Sequence, residues 1–332
     1  MRIGLIGLGR IGAFHARTLV QLPHVEELVV TDAVASLADA VAQELGATVV
    51  DGPEELLARG VDGVVIASST PTHGPLLRAA VARGIPTFCE KPVTQGLHDA
   101  VALREELADS TVPVQIGFPR RFDKAYAAAR ELARSGALGY LHTVRSTTLD
   151  LAPPPSAYIA SSGGIFHDCS VHDFDSIRWA TGQEVVEVVA VGATQGVDYI
   201  EAAGDAESAT AVLTLSGGTL AVVSNTRRNG RGHDVRLELL GSEDSVSAGL
   251  DERLPLRSAD PTVGFPSGQP WQLFMDRFGE AFRAELDAFT DVVAWRRTSP
   301  CTIHDGVEAA LIAEAATRSR RDRRPVLLDE LR

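Results

Sequence analysis

The chain of 332 residues is 45% hydrophobic and carries 31 basic against 44 acidic residues, for a net charge of −13. This length predicts two domains, and the negative charge disfavours nucleic acid and anionic membrane surfaces as partners. No segment reaches the roughly 20 apolar residues that span a bilayer, and the first strand begins at residue 2 without a leader, so we expect a cytoplasmic protein. Cys89, Cys169 and Cys301 lack CxxC spacing, which argues against a disulfide framework or structural zinc.

The first predicted elements are a buried strand and a helix, joined by the turn Gly7-Leu8-Gly9-Arg10-Ile11-Gly12. In a dinucleotide-binding turn, the first glycine permits the bend, the second lets the backbone approach a pyrophosphate, and the third packs helix on strand. The phosphates meet the N–H groups at the start of that helix. Candidate cofactor residues here are Gly7, Gly9, Arg10, Ile11 and Gly12.

Asp32 ends the second predicted strand, twenty residues after Gly12. A carboxylate at this spacing accepts a hydrogen bond from the free ribose hydroxyl of NAD and repels the 2′-phosphate of NADP. No basic residue follows Asp32 through Ser36, so NAD is the expected cofactor. Arg10 can reach the adenosine end of the cofactor, which leaves NADP as an open alternative.

Up to about residue 118, strand-like runs alternate with amphipathic helix-like runs, as in a parallel sheet covered on both faces. The predicted strands are 2–6, 27–31, 48–50, 63–67, 86–90 and 113–117. The predicted helices are 13–22, 36–45, 53–58, 74–83 and 96–107. The pattern predicts an NAD-binding Rossmann domain, a doubly wound parallel sheet, over residues 1–120.

Two strand ends in this domain carry further candidate residues. Ser69, Thr70 and His73 follow the fourth strand and open a helix, so we expect them to line the cofactor, with helix capping as the alternative for His73. Glu90-Lys91-Pro92 ends the fifth strand, where ligands bind in an open parallel sheet. We expect Glu90 and Lys91 beside the nicotinamide, the lysine ammonium stabilising an alkoxide, and a cis peptide bond before Pro92.

After residue 120 the pattern changes to long strands with few helices between them. The predicted strands are 141–148, 185–194, 210–216, 219–225, 234–240 and 325–328, and the predicted helices are 122–135, 271–295 and 305–320. Gly217-Gly218 indicates a hairpin, so residues 121–332 should form an α+β substrate-binding and oligomerisation domain with an open, mainly antiparallel sheet. One face of such a sheet needs a cover, which predicts a homodimer or homotetramer. We expect residues 255–270, rich in proline and glycine, to form a loop or lid.

Residues 163–179 are dense in titratable groups for an apolar segment. If they are helical up to Gly182, Asp168, His172 and Asp175 share one polar stripe. A histidine with a carboxylate one turn away suits proton transfer. The alternatives are a purely structural histidine–aspartate pair, a zinc site of His167, Cys169 and His172, which the helix disperses, and a nucleophilic Cys169, which lacks an activating partner.

With these motifs in place, the chain resembles the Gfo/Idh/MocA oxidoreductases, and among them the inositol 2-dehydrogenases. The segments that carry the resemblance are Gly7 to Gly12, Glu90-Lys91-Pro92, 117–123, 163–166 and 172–175. The resemblance implies that Lys91, Asp168 and His172 are catalytic and that Asp175 and Arg121 contact a polyol substrate. We expect no metal, because no CxxC or HExxH motif completes a ligand set. It also implies a Rossmann domain joined to an α/β domain with a large open sheet.

The resulting expectation is an NAD-dependent dehydrogenase that oxidises a ring secondary alcohol of a cyclic polyol or sugar to a ketone. Two alternatives stay open. One is a ketosugar or sugar-acid oxidoreductase of the same family, because Arg227, Arg228 and Arg231 suit a negatively charged substrate. The other is a non-catalytic NAD-binding sensor, which would not need a placed acid–base pair.

Overall fold

The computed structural model describes residues 1–332, which divide into two compact units. The first unit comprises Met1–Pro119 and Phe282–Val307, and the second comprises Arg120–Ala281 and Glu308–Arg332. The sequence predicts a single boundary after residue 120, with everything beyond it in one domain. The structure differs at one place, because residues 282–307 belong to the first unit.

The first unit is built on a six-stranded sheet in the order β3-β2-β1-β4-β5-β6, with every neighbouring pair parallel. Its strands are β1 (Arg2–Ile6), β2 (Glu27–Thr31), β3 (Thr48–Val49), β4 (Gly63–Ile66), β5 (Thr87–Glu90) and β6 (Val114–Gly117). Its helices are α1 (Arg10–Leu19), α2 (Ala35–Leu45), α3 (Pro53–Ala58), α4 (His73–Val81) and α5 (Leu97–Glu106). This strand order is that of a Rossmann fold, as the alternating pattern predicts.

The second unit holds a seven-stranded sheet in the order β12-β11-β7-β10-β9-β8-β13. Its strands are β7 (Leu141–Leu149), β8 (Val185–Ala193), β9 (Ser208–Leu215), β10 (Leu220–Thr226), β11 (Asp234–Gly241), β12 (Ser245–Ala248) and β13 (Val326–Leu327). The remaining helices of the chain are α6 (Lys124–Arg134), α7 (Ser156–Ile159), α8 (Val171–Thr181), α9 (Asp198–Ala202), α10 (Phe274–Val293) and α11 (Ile303–Asp322), of which α10 and α11 each belong partly to the first unit. Only β7 and β10 pair in parallel, so the predicted mainly antiparallel sheet is confirmed. Helices α7 and α9 and strand β12 are additions to the predicted elements.

The accessible face of this sheet is apolar in part, on β8, β9 and β10. Along β9 and β10, buried residues alternate with accessible ones, as expected for strands with one covered face. Val189 of β8 pairs with Val212 of β9, and Val212 pairs with Val222 of β10, which gives a row of valines across three strands. Val191 and Leu220 extend the accessible apolar surface with exposed fractions of 64% and 49%.

The second half of α10 explains why residues 282–307 belong to the first unit. Phe289 and Val293 lie in the same apolar cluster as Ile3 and Phe88, and all four side chains are buried. A Cβ at Gly63 would lie 2.5 Å from Val293 Cγ2, so the glycine in β4 permits this close packing. A helix with one strongly apolar face buries it on whichever sheet fits, and sequence proximity does not decide which.

No helix of the chain is both long enough and apolar enough to cross a membrane. Residues 255–270 contain no helix or strand, so the predicted loop is confirmed. Its action as a lid stays a prediction.

Candidate active site

The three glycines of the first turn meet three different steric demands. Gly7 has φ +93°, and a Cβ there would lie 2.4 Å from Ser68 Cα. A Cβ on Gly12 would lie 1.9 Å from the carbonyl oxygen of Gly7, whereas one on Gly9 would meet nothing within 4 Å. The space in front of Gly9, at the start of α1, therefore fits a pyrophosphate against backbone N–H groups.

Asp32 lies beside this turn and is oriented by the backbone. Its Oδ2 accepts a hydrogen bond from the N–H of Leu8 at 2.6 Å, and its Oδ1 accepts one from Val34 at 2.8 Å. Arg10 is exposed at the first position of α1, and Ile11 is half-buried behind it. A carboxylate fixed next to the glycine turn fits the ribose of NAD, so the residues present fit this dinucleotide.

The candidates after β4 separate into two groups. Ser69 is exposed and Thr70 is half-buried, and the latter begins a 3-10 turn over Thr70–Thr72. His73 is buried, with Nδ1 2.7 Å from the carbonyl oxygen of Pro92 and Nε2 3.1 Å from that of Ser68. Both ring nitrogens therefore face the backbone. His73 therefore links the loop after β4 to the loop after β5. The predicted contact between His73 and the cofactor does not agree with this buried position.

The end of β5 brings Glu90 onto an unexpected partner. Glu90 Oε1 lies 2.6 Å from Nε2 of His15, which is buried in α1. The His15 ring packs edge-on against Phe88 at a centroid distance of 5.7 Å. Lys91 follows, half-buried, and its peptide bond with Pro92 is cis, as predicted. The histidine–glutamate contact fixes the residue immediately before the lysine.

Asp168 lies in a π-helical turn, Phe166–Ser170, that precedes α8. The Tyr158 hydroxyl donates to its Oδ1 at 2.7 Å, and Nη1 of Arg227 donates to its Oδ2 at 2.9 Å. The Asp168 side chain keeps 13% exposure. Because each carboxylate oxygen accepts from a different donor, the Asp168 side chain is held in one orientation. A carboxylate that orients a neighbouring group needs to be fixed in this way.

Charge and burial keep these two donors in their donating forms. Burial and the charge of Asp168 raise the pKa of Tyr158, so its hydroxyl stays protonated. Burial alone would lower the pKa of Arg227, but Cys169, Asp168 and Asp205 outweigh it and the pKa is raised. Arg227 is buried and also contacts Asp205 at 3.2 Å, so one guanidinium serves two carboxylates.

His172 lies in the first turn of α8, and its side chain is half-buried. The next residue anchors the helix, because buried Asp173 accepts hydrogen bonds from Arg120 at 2.7 Å, Ser146 at 2.6 Å and Asn225 at 2.8 Å. Helix α8 ends at Thr181 and is followed by left-handed Gly182, as the sequence predicts. Asp168 and His172 are thus presented by one rigidly held segment.

The predicted polar stripe needs two corrections. Asp168 lies in a π turn, whose i→i+5 hydrogen bonds change the angle between its side chain and those of α8. Asp175 is fully buried, and its carboxylate binds Arg121 bidentately at 2.9 and 2.6 Å. The structure brings Arg121 and Asp175 together, but as an ion pair with each other. The direct substrate contact expected of Asp175 does not fit, because no part of it is accessible.

Two of the three residues in the zinc alternative, His167 and Cys169, lie near different carboxylates. His167 Nε2 lies 3.6 Å from Glu314 Oε2 on α11. Cys169 Sγ lies 3.8 Å from Asp150 Oδ2 and 4.0 Å from Asp168 Oδ2. Two neighbouring carboxylates disfavour the thiolate that a nucleophile or a metal ligand requires.

Comparisons with known proteins agree with this geometry. The model described as "Oxidoreductase family, NAD-binding Rossmann fold" matches residues 1–118, and that of the "GFO/IDH/MocA C-terminal domain" matches residues 126–247. The chain belongs to the Gfo/Idh/MocA family. It is 35% identical to a myo-inositol 2-dehydrogenase of Thermotoga maritima, over 100% of the chain and 99% of that protein.

Two further comparisons concern inositol dehydrogenases. The chain is 35% identical to an NAD-dependent scyllo-inositol 2-dehydrogenase of Bacillus subtilis, over 99% of the chain and 96% of that protein. It superposes on a scyllo-inositol dehydrogenase of Lactobacillus casei with bound NAD(H) and scyllo-inositol, with a TM-score of 0.87, 28% identity and 99% coverage of both chains. This Gfo/Idh/MocA member is therefore an NAD-dependent dehydrogenase that acts on CH–OH groups.

Sequence reasoning missed several partners in this Gfo/Idh/MocA chain. Tyr158 and His15 carry no local signal, because each reaches its carboxylate only through the fold. The sequence groups Arg227 with two other arginines suited to an acidic substrate, but in the structure Arg227 pairs with Asp168 and Asp205. A further sequence signal marks Lys91, since it and Lys124 are the only two lysines among 31 basic residues.

Proposed function

We propose that this enzyme oxidises a ring secondary hydroxyl of a neutral cyclic polyol of the inositol class to a ketone. The observation that carries the proposal is the doubly held Asp168 carboxylate in the turn before His172. The names of the full-length relatives support the substrate class, because both are inositol dehydrogenases at 35% identity.

In the proposed reaction, His172 accepts the proton of the substrate hydroxyl, and the Asp168 carboxylate stabilises the imidazolium that forms. The Lys91 ammonium donates a hydrogen bond to the same oxygen and stabilises its developing negative charge. NAD, when bound, supplies the two-electron acceptor. Asp168 needs no proton of its own, because Tyr158 and Arg227 keep it an acceptor.

The choice of lysine at position 91 supports this assignment. The chain uses arginine for nearly all of its cations, yet places one of its two lysines at the end of β5. An ammonium is a compact point charge that can give up a proton, whereas guanidinium stays charged and binds planar anions. A developing alkoxide is a single oxygen, which suits the ammonium.

A neutral substrate is favoured over a sugar acid by the arginines that follow β10. Arg227 is neutralised by Asp168 and Asp205, and Arg228 donates to Glu207 at 2.8 Å. Arg228 and Arg231 are both exposed, but only Arg231 of the three has no carboxylate partner. Charges already matched by carboxylates offer little extra attraction to a carboxylated ring.

The test is a screen for NADH formation, by absorbance, with myo-inositol, scyllo-inositol, neutral aldoses and the corresponding sugar acids. We expect turnover with at least one neutral cyclic polyol, and at least tenfold lower kcat/KM for the carboxylated analogues. Higher kcat/KM for a sugar acid would overturn the neutral-substrate assignment. Turnover of open-chain alcohols alone would overturn the cyclic-polyol class.

We also propose that a second copy of this chain covers the accessible face of the seven-stranded sheet, where it crosses β8, β9 and β10. The row of Val189, Val212 and Val222 supports this, because a row of apolar side chains across three strands is costly to leave in water. The symmetric pairing of such a face with itself gives a homodimer, and two such faces give a homotetramer.

A further inference from the structure

A cavity of about 870 Å³ opens in the first unit, between the end of α5, the start of β6, the end of α10 and the start of α11. It is formed by residues of the first unit alone, none of which belongs to the glycine turn. Its volume is within the range of roughly 300–1,000 Å³ typical of small-molecule sites. Leu107 and Ile303 contribute apolar wall.

The charge of this cavity is opposite to that of the chain. Arg104, Arg296, Arg297 and His304 line it, and no aspartate or glutamate does. The whole chain carries a net charge of −13. Arg296 already pairs with Asp291 at 2.7 Å, so direct contact with an anion would come first from exposed Arg297. A cationic lining in an acidic protein favours an anionic ligand.

Trp295, on the rim of the cavity, has a backbone conformation that glycine or asparagine adopts more easily. Its φ is +56°, in the left-handed region. It follows the end of α10, where the N–H of Trp295 donates to the Val292 carbonyl at 3.0 Å and that of Arg296 donates to Asp291 at 2.9 Å. Helices usually end this way on glycine or asparagine, because a side chain costs conformational energy there.

The Trp295 side chain is also 65% exposed, so packing does not compensate for the backbone cost. The end of α10 requires the left-handed conformation but not a tryptophan, and a residue kept at such a backbone cost points to a functional use. A large aromatic ring at the rim of a cationic cavity offers a stacking surface for a planar ring. A ligand that fits both features therefore has a planar ring for the tryptophan and an anionic group for the arginines.

We propose that this cavity binds an organic anion with a planar ring, of the nucleotide class, at a site separate from the NAD turn. Trp295 stacks on the ring, and Arg297 pairs with the anionic group. The proposal is independent of which alcohol the enzyme oxidises.

The experiment uses ADP as the probe, titrated into enzyme held at the lowest NAD⁺ concentration that fills the NAD turn, because NAD⁺ also carries the ring and the charge that the cavity would bind. Binding is measured by calorimetry and by quenching of tryptophan fluorescence. Adenosine supplies the ring without the charge, and pyrophosphate supplies the charge without the ring. The variants are Trp295→Gly, Trp295→Asn, Trp295→Phe and Arg297→Ala, with Arg257→Ala as an exposed arginine outside the cavity.

We expect saturable ADP binding, at least tenfold weaker binding of adenosine and of pyrophosphate, and at least tenfold loss in Trp295→Gly, Trp295→Asn and Arg297→Ala. Trp295→Phe and Arg257→Ala should stay within threefold of the wild type. The Tm of Trp295→Gly should equal or exceed that of the wild type, because glycine relieves the left-handed strain.

Four results would overturn the proposal. The first is no saturable ADP binding when the NAD turn is filled. The second is pyrophosphate binding as tightly as ADP, which would mark a simple anion patch. The third is unchanged ADP affinity in Trp295→Gly. The fourth is a Tm several degrees lower in Trp295→Gly, which would show that the fold itself requires the tryptophan.

Discussion

At the scale of single residues, the Asp168 carboxylate shows how much of a site is built by distant groups. Tyr158 lies ten residues before it and Arg227 lies 59 residues after it. The spacing of Asp168 and His172 can be read from the sequence, because both lie on one helical segment. The donors that orient Asp168 cannot, because loop and sheet geometry bring them there.

The Tyr158→Phe variant tests this orientation. Tyr158 is 44% exposed, so water can partly replace its hydroxyl, and loss of this donor should cost about 1 kcal/mol. We therefore expect kcat to fall about fivefold. Burial and Asp168 raise the pKa of Tyr158, so the phenol keeps its proton to high pH and the loss should be equal at pH 7 and pH 10. A pH profile of kcat measures both effects.

Tyr199→Phe is the matched control, because the Tyr199 hydroxyl donates to the Pro154 carbonyl at 3.0 Å and not to Asp168. Equal loss of kcat in the two variants would contradict a specific role for Tyr158. So would a loss that disappears at high pH.

At the scale of elements, the segment around Asp168 shows what a helical pattern can and cannot predict. Left-handed Gly182 ends α8 as expected, because glycine after a helix is a strong local signal. The π turn over Phe166–Ser170 has no such signal. The wider π turn changes the direction of the side chains in this segment. In this turn, His167 lies 3.6 Å from Glu314 of α11.

This contact predicts a pH-dependent contribution to stability. His167 and, after it, Arg318 lower the pKa of Glu314 to about 2. A folded pKa below the unfolded value of about 4.3 stabilises the protein above that pH, and the contribution is lost as pH falls toward 2. We expect Glu314→Gln to reduce the free energy of unfolding at pH 6 by about 1 kcal/mol, because the pair is partly solvated.

Urea unfolding of both proteins at pH 6 and at pH 4 measures the difference, which should shrink at the lower pH. Glu280→Gln is the control, because Glu280 pairs with Lys124 in full exposure and its removal should have little effect. A difference that grows as pH falls would contradict the assignment.

At the scale of the whole molecule, local signals and long-range packing explain what could be predicted. The glycine turn, Asp32 and the strand order follow from neighbouring residues, and the structure and the family match confirm the Rossmann fold and NAD. The placement of residues 282–307 follows from Phe289 packing with Ile3 and Phe88, which no local pattern contains.

The accessible sheet face leads to a prediction about assembly. Val212→Glu places a charge within the valine row, where burial by a second copy would leave it unpaired. We expect the variant to shift toward monomer in light scattering coupled to size-exclusion chromatography. Val49→Glu is the control, because Val49 has a similar exposure of 38% against 41% but lies in β3. A monomeric wild type would contradict the proposal.

The roles of Lys91 and His172 are tested by comparing turnover with NADH affinity in Lys91→Met and His172→Asn, using the best polyol from the screen. We expect kcat to fall at least 100-fold in each variant while the Kd for NADH stays within about threefold of the wild type. Lys124→Met removes the other lysine and should change neither quantity. Equal losses of turnover and NADH affinity, or unchanged turnover, would contradict a role of Lys91 and His172 in the reaction itself.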